Sequence, residues 1–137
     1  AGLAAVERAD TVAIAKPELA PYGRAALEAL EAAKLLERTE PKFVYAENIS
    51  QAAQFCLTAA DSGFINKSVL FTPAFAAFRD KEGRNWIEVP EGSYRSIDQG
   101  AILLKRGSGT KGAGDFFAYL FSDGAKVLFR SYGYAVN

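Results

Sequence analysis

Between Thr11 and Asn66 the chain alternates short β-branched or aromatic runs with longer helical stretches, and few architectures accept that order. "TVAIA" (Thr11 to Ala15) reads as a buried strand, with Pro17 and Pro21 punctuating the turn behind it. From Arg24 to Arg38, Leu27, Leu30, Leu35 and several alanines recur at helical spacing. Glu28, Glu31, Lys34 and Glu37 fall largely on the other side, so an amphipathic helix is predicted there, ended by Pro41. "KFVYA" (Lys42 to Ala46) alternates and carries aromatics, as a strand does. "ENISQAAQFCLTAAD" opens with Asn48 and Ser50 and predicts a second helix of about three turns. "SGFIN" (Ser62 to Asn66) is a third short strand. The order β-α-β-α-β specifies a parallel sheet covered by helices, hence an α/β fold.

Beyond Asn66 the pattern is less regular. An apolar segment interrupted by Pro73 precedes a strand expected at "NWIEV", a turn-rich stretch containing "PEGSY", and a last strand at "AILLK" (Ala101 to Lys105). The glycine-rich "RGSGTKGAGD" reads as a surface turn leading to a helical region, "FFAYLFSDGAKVLFRSYGY", broken near Ser122-Asp123-Gly124.

Composition narrows the chemistry. At 137 residues the chain fits one domain able to hide roughly two-thirds of its unfolded surface. Sixteen basic residues balance sixteen acidic ones, which leaves no global field for nucleic acid or an anionic membrane. Histidine is absent and Cys56 is alone, so the commonest general base, an intrachain disulfide and a cysteine zinc cluster are all excluded. No apolar run reaches a membrane span, and "AGLAAVERAD" lacks the layout of a signal peptide, so the chain reads as a mature or trimmed soluble product.

No motif supports catalysis. In "RGSGTKGAGD", Lys111 is followed by Gly112, which departs from a phosphate-binding P-loop. Glu82, Glu88 and Glu91 are spread as solvated surface carboxylates. Cys56 sits mid-helix as a small buried hydrophobe. Phe116, Phe117, Tyr119 and Phe121 lack the interleaved basic residues of a base-stacking platform and read as core.

The helix starts remain. The first N–H groups of a helix lack internal partners and lie at the positive end of its dipole, which suits an anion. After the first strand, Pro21 fixes φ and Gly23 would let a ligand approach the backbone closely. The "ENIS" start follows the next strand of the same sheet, so N–H groups near Tyr22 and Ile49 are expected to converge at the carboxyl edge on one oxyanion. On spacing alone, Pro-Tyr-Gly as a plain tight turn and Asn48 or Ser50 as a plain cap stays an open alternative.

Three co-linear segments, "AIAKPELAPYGRAALEAL", "VYAENISQAAQFCLTAADSGFINKS" and "YRSIDQGAILLKRG…FFAYLFSDGAKVLFRSYGY", resemble the periplasmic molybdate-binding proteins, the solute-binding components of molybdate ABC importers. The resemblance implies a type II periplasmic-binding-protein fold, with a tetrahedral oxyanion held between two α/β lobes. It places an anion-binding backbone N–H at Tyr22 of "APYG" and another at Ile49 of "ENIS". Gly23, Asn48 and Ser50 stand as supporting candidates. Asn66 of "GFIN" occupies the position where many members carry a ligand-contacting tyrosine. The resemblance further implies that residues 1–100 form the second lobe. Residues 101–137 would be a crossing strand and helices that normally pack on a first lobe, which this chain lacks.

The function expected from this resemblance is binding of molybdate or tungstate, with no enzymatic activity, no cofactor and no metal apart from the bound oxyanion. The expected setting is the periplasm, with a membrane ABC permease as partner. Self-association, or a bound N-terminal fragment, would cover the C-terminal segment. The alternative is a regulatory or interaction module with the same lobe architecture.

Overall fold

The computed structural model describes residues 2–136, and within them the chain forms two compact units, one ending at Ile97 and the other beginning at Asp98. Residues 1 and 137 lie outside the described residues.

The first unit is built around Val12–Ala15 (β1), four residues buried along their whole length. They are buried because β1 is the middle strand of a parallel sheet, flanked by Phe43–Ala46 (β2) and Ser62–Gly63 (β3). Val12 to Ala15 pair in register with Phe43 to Ala46, while Val12 and Ala13 pair with Ser62 and Gly63. The third strand is shorter than "SGFIN" suggested; one further bond, from Phe64 N–H to the Ala13 carbonyl (2.9 Å), continues the ladder. At the other end, the Asp61 carboxylate accepts from both the N–H (3.0 Å) and the hydroxyl (2.8 Å) of Thr11. Thr11 Oγ1 in turn accepts from Asp61 N–H (3.1 Å), clipping the starts of β1 and β3 together.

Helix α1 spans Pro21–Ala32 and buries Ala25, Ala26, Ala29 and Leu30 against the sheet. Leu30 joins Val6 and Val12 in a core cluster that also takes Leu35, Leu36, Phe43 and Phe64. The expected single helix from Arg24 to Arg38 is corrected at both ends. It starts three residues earlier, since proline fits the first helical position, and it breaks at Lys34, which has φ 59°. There Leu35 N–H reaches back to the Leu30 carbonyl (2.8 Å) and Lys34 N–H to Glu31 (2.9 Å), closing the helix with a left-handed residue before α2 (Leu36–Thr39). Helix α3 spans Ile49–Thr58 and buries Ala52 and Ala53, as its pattern predicts.

Two expected strands do not form. Around "NWIEV" only an isolated bridge joins Glu82 and Trp86. Gly83 N–H bonds the Trp86 carbonyl (2.7 Å), and the indole N–H is shared between the carbonyls of Phe78 and Arg79 (both 3.0 Å). This tight turn packs the Trp86 ring over Ala53, Leu70 and Phe75, beside Phe78 and the short helix α4 (Ala76–Arg79), and uses the backbone groups a ladder would need.

In the second unit, residues 101–104 of "AILLK" belong to no sheet, and Ile102 (80 %) and Leu104 (61 %) are largely exposed. An apolar run without a neighbouring strand has no ladder to join. Lys105 already opens helix α5 (Lys105–Ser108), and the glycine-rich stretch, expected as a turn, runs on into α6 (Lys111–Tyr119). The expected break holds: Ser122 caps α7 (Asp123–Ser131), its hydroxyl accepting from Ala125 N–H at 3.2 Å. The aromatic group read as core is instead mostly outward, with Phe116, Tyr119 and Phe121 exposed and Phe117 half-buried against Phe121. No described helix is long and apolar enough to cross a membrane.

Candidate functional site

The carboxyl edge of the first unit's sheet is where both helix starts arrive. After β1, Lys16 N–H still reaches the Ala46 carbonyl (2.8 Å), and the Lys16 carbonyl accepts from Leu19 N–H (3.0 Å) and Ala20 N–H (2.9 Å). This closes the turn on Ala20, the N-cap of α1, which has no side chain able to cap. The helix manages without one because Pro21 has no N–H to satisfy. The Ala20 carbonyl accepts from Gly23 N–H (3.0 Å) and Arg24 N–H (3.2 Å). Tyr22, half-buried, is the second residue of the first turn.

Gly23 is explained differently from the sequence expectation. A Cβ at this buried position would lie 2.0 Å from the Ala15 carbonyl oxygen and 2.8 Å from its carbon. The glycine therefore serves the close seating of α1 on β1, not the approach of a ligand.

After β2, Asn48 takes the N-cap position of α3, its side-chain oxygen accepting from Gln51 N–H at 2.9 Å. The Gln51 side chain returns a bond to the backbone one residue earlier, accepting from Glu47 N–H at 2.6 Å. The arrangement is close to a capping box. Asn48 is thus engaged as a cap, and Ser50, exposed, occupies the second position of the first turn. Ile49 and Ser50 are the first two residues of α3, whose N–H groups have no partner within the helix.

The two starts are brought together by packing. Ala15 and Ala46, the last residues of β1 and β2, form one buried cluster with Ala20 and Ala52, and Ile49 packs against it. Small side chains at these four positions allow the N-cap of α1 and the first residue of α3 to share a cluster across adjacent strands. Asn66 follows β3 on the opposite side of β1, and its amide donates to Ser68 Oγ.

Charge at this edge was not foreseen. Ala15 is in register with Ala46, so the next residues, Lys16 and Glu47, are neighbours, and their side chains form an ion pair. The signal was available: equivalent positions after two parallel strands, carrying opposite charges. Nearby Tyr45 has its hydroxyl pKa raised by burial, with lesser effects from Glu40 and Glu18. Among the described residues, no group of three acidic, cysteine or histidine side chains could hold a metal ion.

The chain is 38% identical over 129 residues to the molybdate-binding protein ModA of Rhodobacter capsulatus, covering 93% of this chain and 48% of that protein. To the ModA of Azotobacter vinelandii it is 33% identical over 127 residues, 92% of this chain and again 48% of the relative. The chain thus spans about half the length of the curated relatives it matches. The solved periplasmic molybdate-binding protein of Azotobacter vinelandii superposes with a TM-score of 0.75 at 24% identity, over 94% of this chain and 55% of that one, which shows the shared fold. Residues 1–135 match the family described as bacterial extracellular solute-binding protein, and to that family the chain belongs.

Proposed function

We propose that the chain binds a tetrahedral oxyanion, molybdate or tungstate, at the paired helix starts of its first unit. Backbone N–H groups of Tyr22 and Ile49 are the principal donors, and that of Ser50 is a supporting one. The observation that carries this reading is the shared cluster of Ala15, Ala20, Ala46 and Ala52, which holds both starts at one sheet edge in a chain whose relatives are named for molybdate. Neutral N–H dipoles at two helix ends stabilise an ionised oxyanion without a cation. In this reading Gly23 and Asn48 act indirectly, Gly23 by seating α1 and Asn48 by capping α3, and Asn66 is a peripheral candidate.

The working context of that site is delivery of the anion to a membrane ABC permease in the periplasm, without catalysis. In this reading the two helix starts supply part of the oxyanion's coordination. Each charge-assisted hydrogen bond of this kind contributes about 1.5 to 3 kcal/mol. The exposed Phe116, Phe121, Val127 and Leu128 are then covered by a second copy or by an N-terminal fragment of such a protein. Light scattering at micromolar concentration tests this cover: a monomer of 14.7 kDa, free of other polypeptide, contradicts it.

The donor assignment is tested by calorimetric or NMR titration with molybdate. Tyr22→Pro, which removes the N–H, should abolish binding, whereas Tyr22→Phe, which keeps it, should be mild. Equal loss in both variants would assign the work to the hydroxyl and overturn the backbone reading.

A further inference from the structure

At the carboxyl edge each of the two turns carries one charge of the pair already described. Lys16 leaves β1 opposite the point where Glu47 leaves β2, and the ammonium and carboxylate are joined. Both residues are also fixed through the backbone. Lys16 N–H is bound to Ala46 O, and its carbonyl to the turn that ends at Ala20; Glu47 N–H is bound to Gln51 Oε1. Glu47 immediately precedes the N-cap of α3, and Lys16 lies four residues ahead of the N-cap of α1. Glu18 and Arg24, the other charged residues around the α1 start, are exposed and of opposite sign.

Either charge alone would alter an anion site there. An unpaired Glu47 carboxylate would repel a dianion arriving at the two helix starts. An unpaired Lys16 ammonium would attract any anion, since a mobile point charge does not discriminate by shape as fixed N–H donors do. We propose that the Lys16–Glu47 pair sets the charge selectivity of the oxyanion site, holding its surroundings near neutral so that the N–H donors choose the anion. The inference rests on the oxyanion reading above.

The test uses the whole chain and two tetrahedral probes, molybdate as dianion and perrhenate as monoanion, in NMR titrations of the unmodified protein, Glu47→Gln and Lys16→Gln. Both residues are partly exposed, and circular dichroism verifies the fold of each variant. At low salt Glu47→Gln should bind molybdate about three- to tenfold more tightly, and Lys16→Gln should bind it more weakly by a similar factor. For perrhenate each factor should fall to about its square root, because the Coulomb energy scales with ligand charge. Added salt should bring the ratios toward one. Equal factors for both anions, or no change in either variant while the unmodified protein binds, would overturn the inference and leave the oxyanion reading standing. No saturable shift with either anion in any of the three proteins would overturn both.

Discussion

A Cβ on Gly23 would stand 2.0 Å from the carbonyl oxygen of Ala15, so the first turn of α1 is seated directly on the carboxyl end of β1. Nothing soft lies in the way: the nearest three atoms are all backbone. Gly23→Ala should therefore destabilise the protein by about 3 kcal/mol, at the upper end of ordinary overpacking. Gly100→Ala, with open space around it, is the contrasting substitution. Urea denaturation measures both, and a Gly23→Ala change within about 0.5 kcal/mol, the range of ordinary surface substitutions, would contradict the seating.

Lys34 holds a left-handed backbone, φ 59°, at the end of α1. A residue with a Cβ is about 1 kcal/mol less comfortable there than glycine. Lys34→Gly should raise the urea midpoint by a corresponding amount without changing the slope, while Lys34→Val should lower it.

Cys56 is half-buried on α3, and a Cβ added to Gly63 would come within 2.5 Å of its sulfur. Burial pushes the thiol up to about 11, so little thiolate exists at neutral pH. A maleimide should label it slowly in the native state and rapidly in urea. The sign of the pH effect follows: the fold favours the protonated thiol. Its contribution is full below the unfolded value of about 8.5 and is lost as pH rises toward the folded one. Cys56→Ala should decline less steeply than the parent between about pH 8.5 and the folded value. Parallel declines would show that the thiol is not held neutral by the fold.

Asp61 is shifted the opposite way. The Thr11 hydroxyl, then the Thr11 N–H, hold its carboxyl below the usual range. A depressed folded value gives stability that is present at neutral pH and lost as pH falls through the folded value. The stability gap between parent and Asp61→Asn should therefore be widest near pH 7 and narrow below about pH 4. A gap constant down to pH 2.5 would mean that ionised Asp61 adds nothing to the clip between β1 and β3.

The parallel sheet was readable because its signals are local. Val12 to Ala15 form a buried run, α1 and α3 carry apolar stripes, and Asn48 is a strong cap residue. What escaped depends on partners distant in the chain. "AILLK" has strand composition but finds no neighbour, and Trp86 turns its backbone toward Gly83 instead of a ladder. Lys34 looked like one more exposed helical charge, since a lysine in the left-handed region carries no compositional mark. At the candidate site, turn chemistry marked the two helix starts near Tyr22 and Ile49 with Asn48 as a cap, and the family resemblance named Tyr22 and Ile49 as the donors. The reason for Gly23 was still misread, because helix-to-strand contact and ligand approach both call for a missing Cβ.

The central claim is that two helix starts, held together through Ala15, Ala20, Ala46 and Ala52, bind one oxyanion. Titrating nitrogen-15-labelled protein with molybdate while following every backbone amide tests it most directly. The expected result is one saturable process in which the amides of Tyr22, Gly23, Ile49 and Ser50 shift together with the same midpoint, while those of the first turns of α6 and α7 stay still. Shifts confined to one helix start, separate midpoints for the two, or shifts centred on the second unit would contradict it.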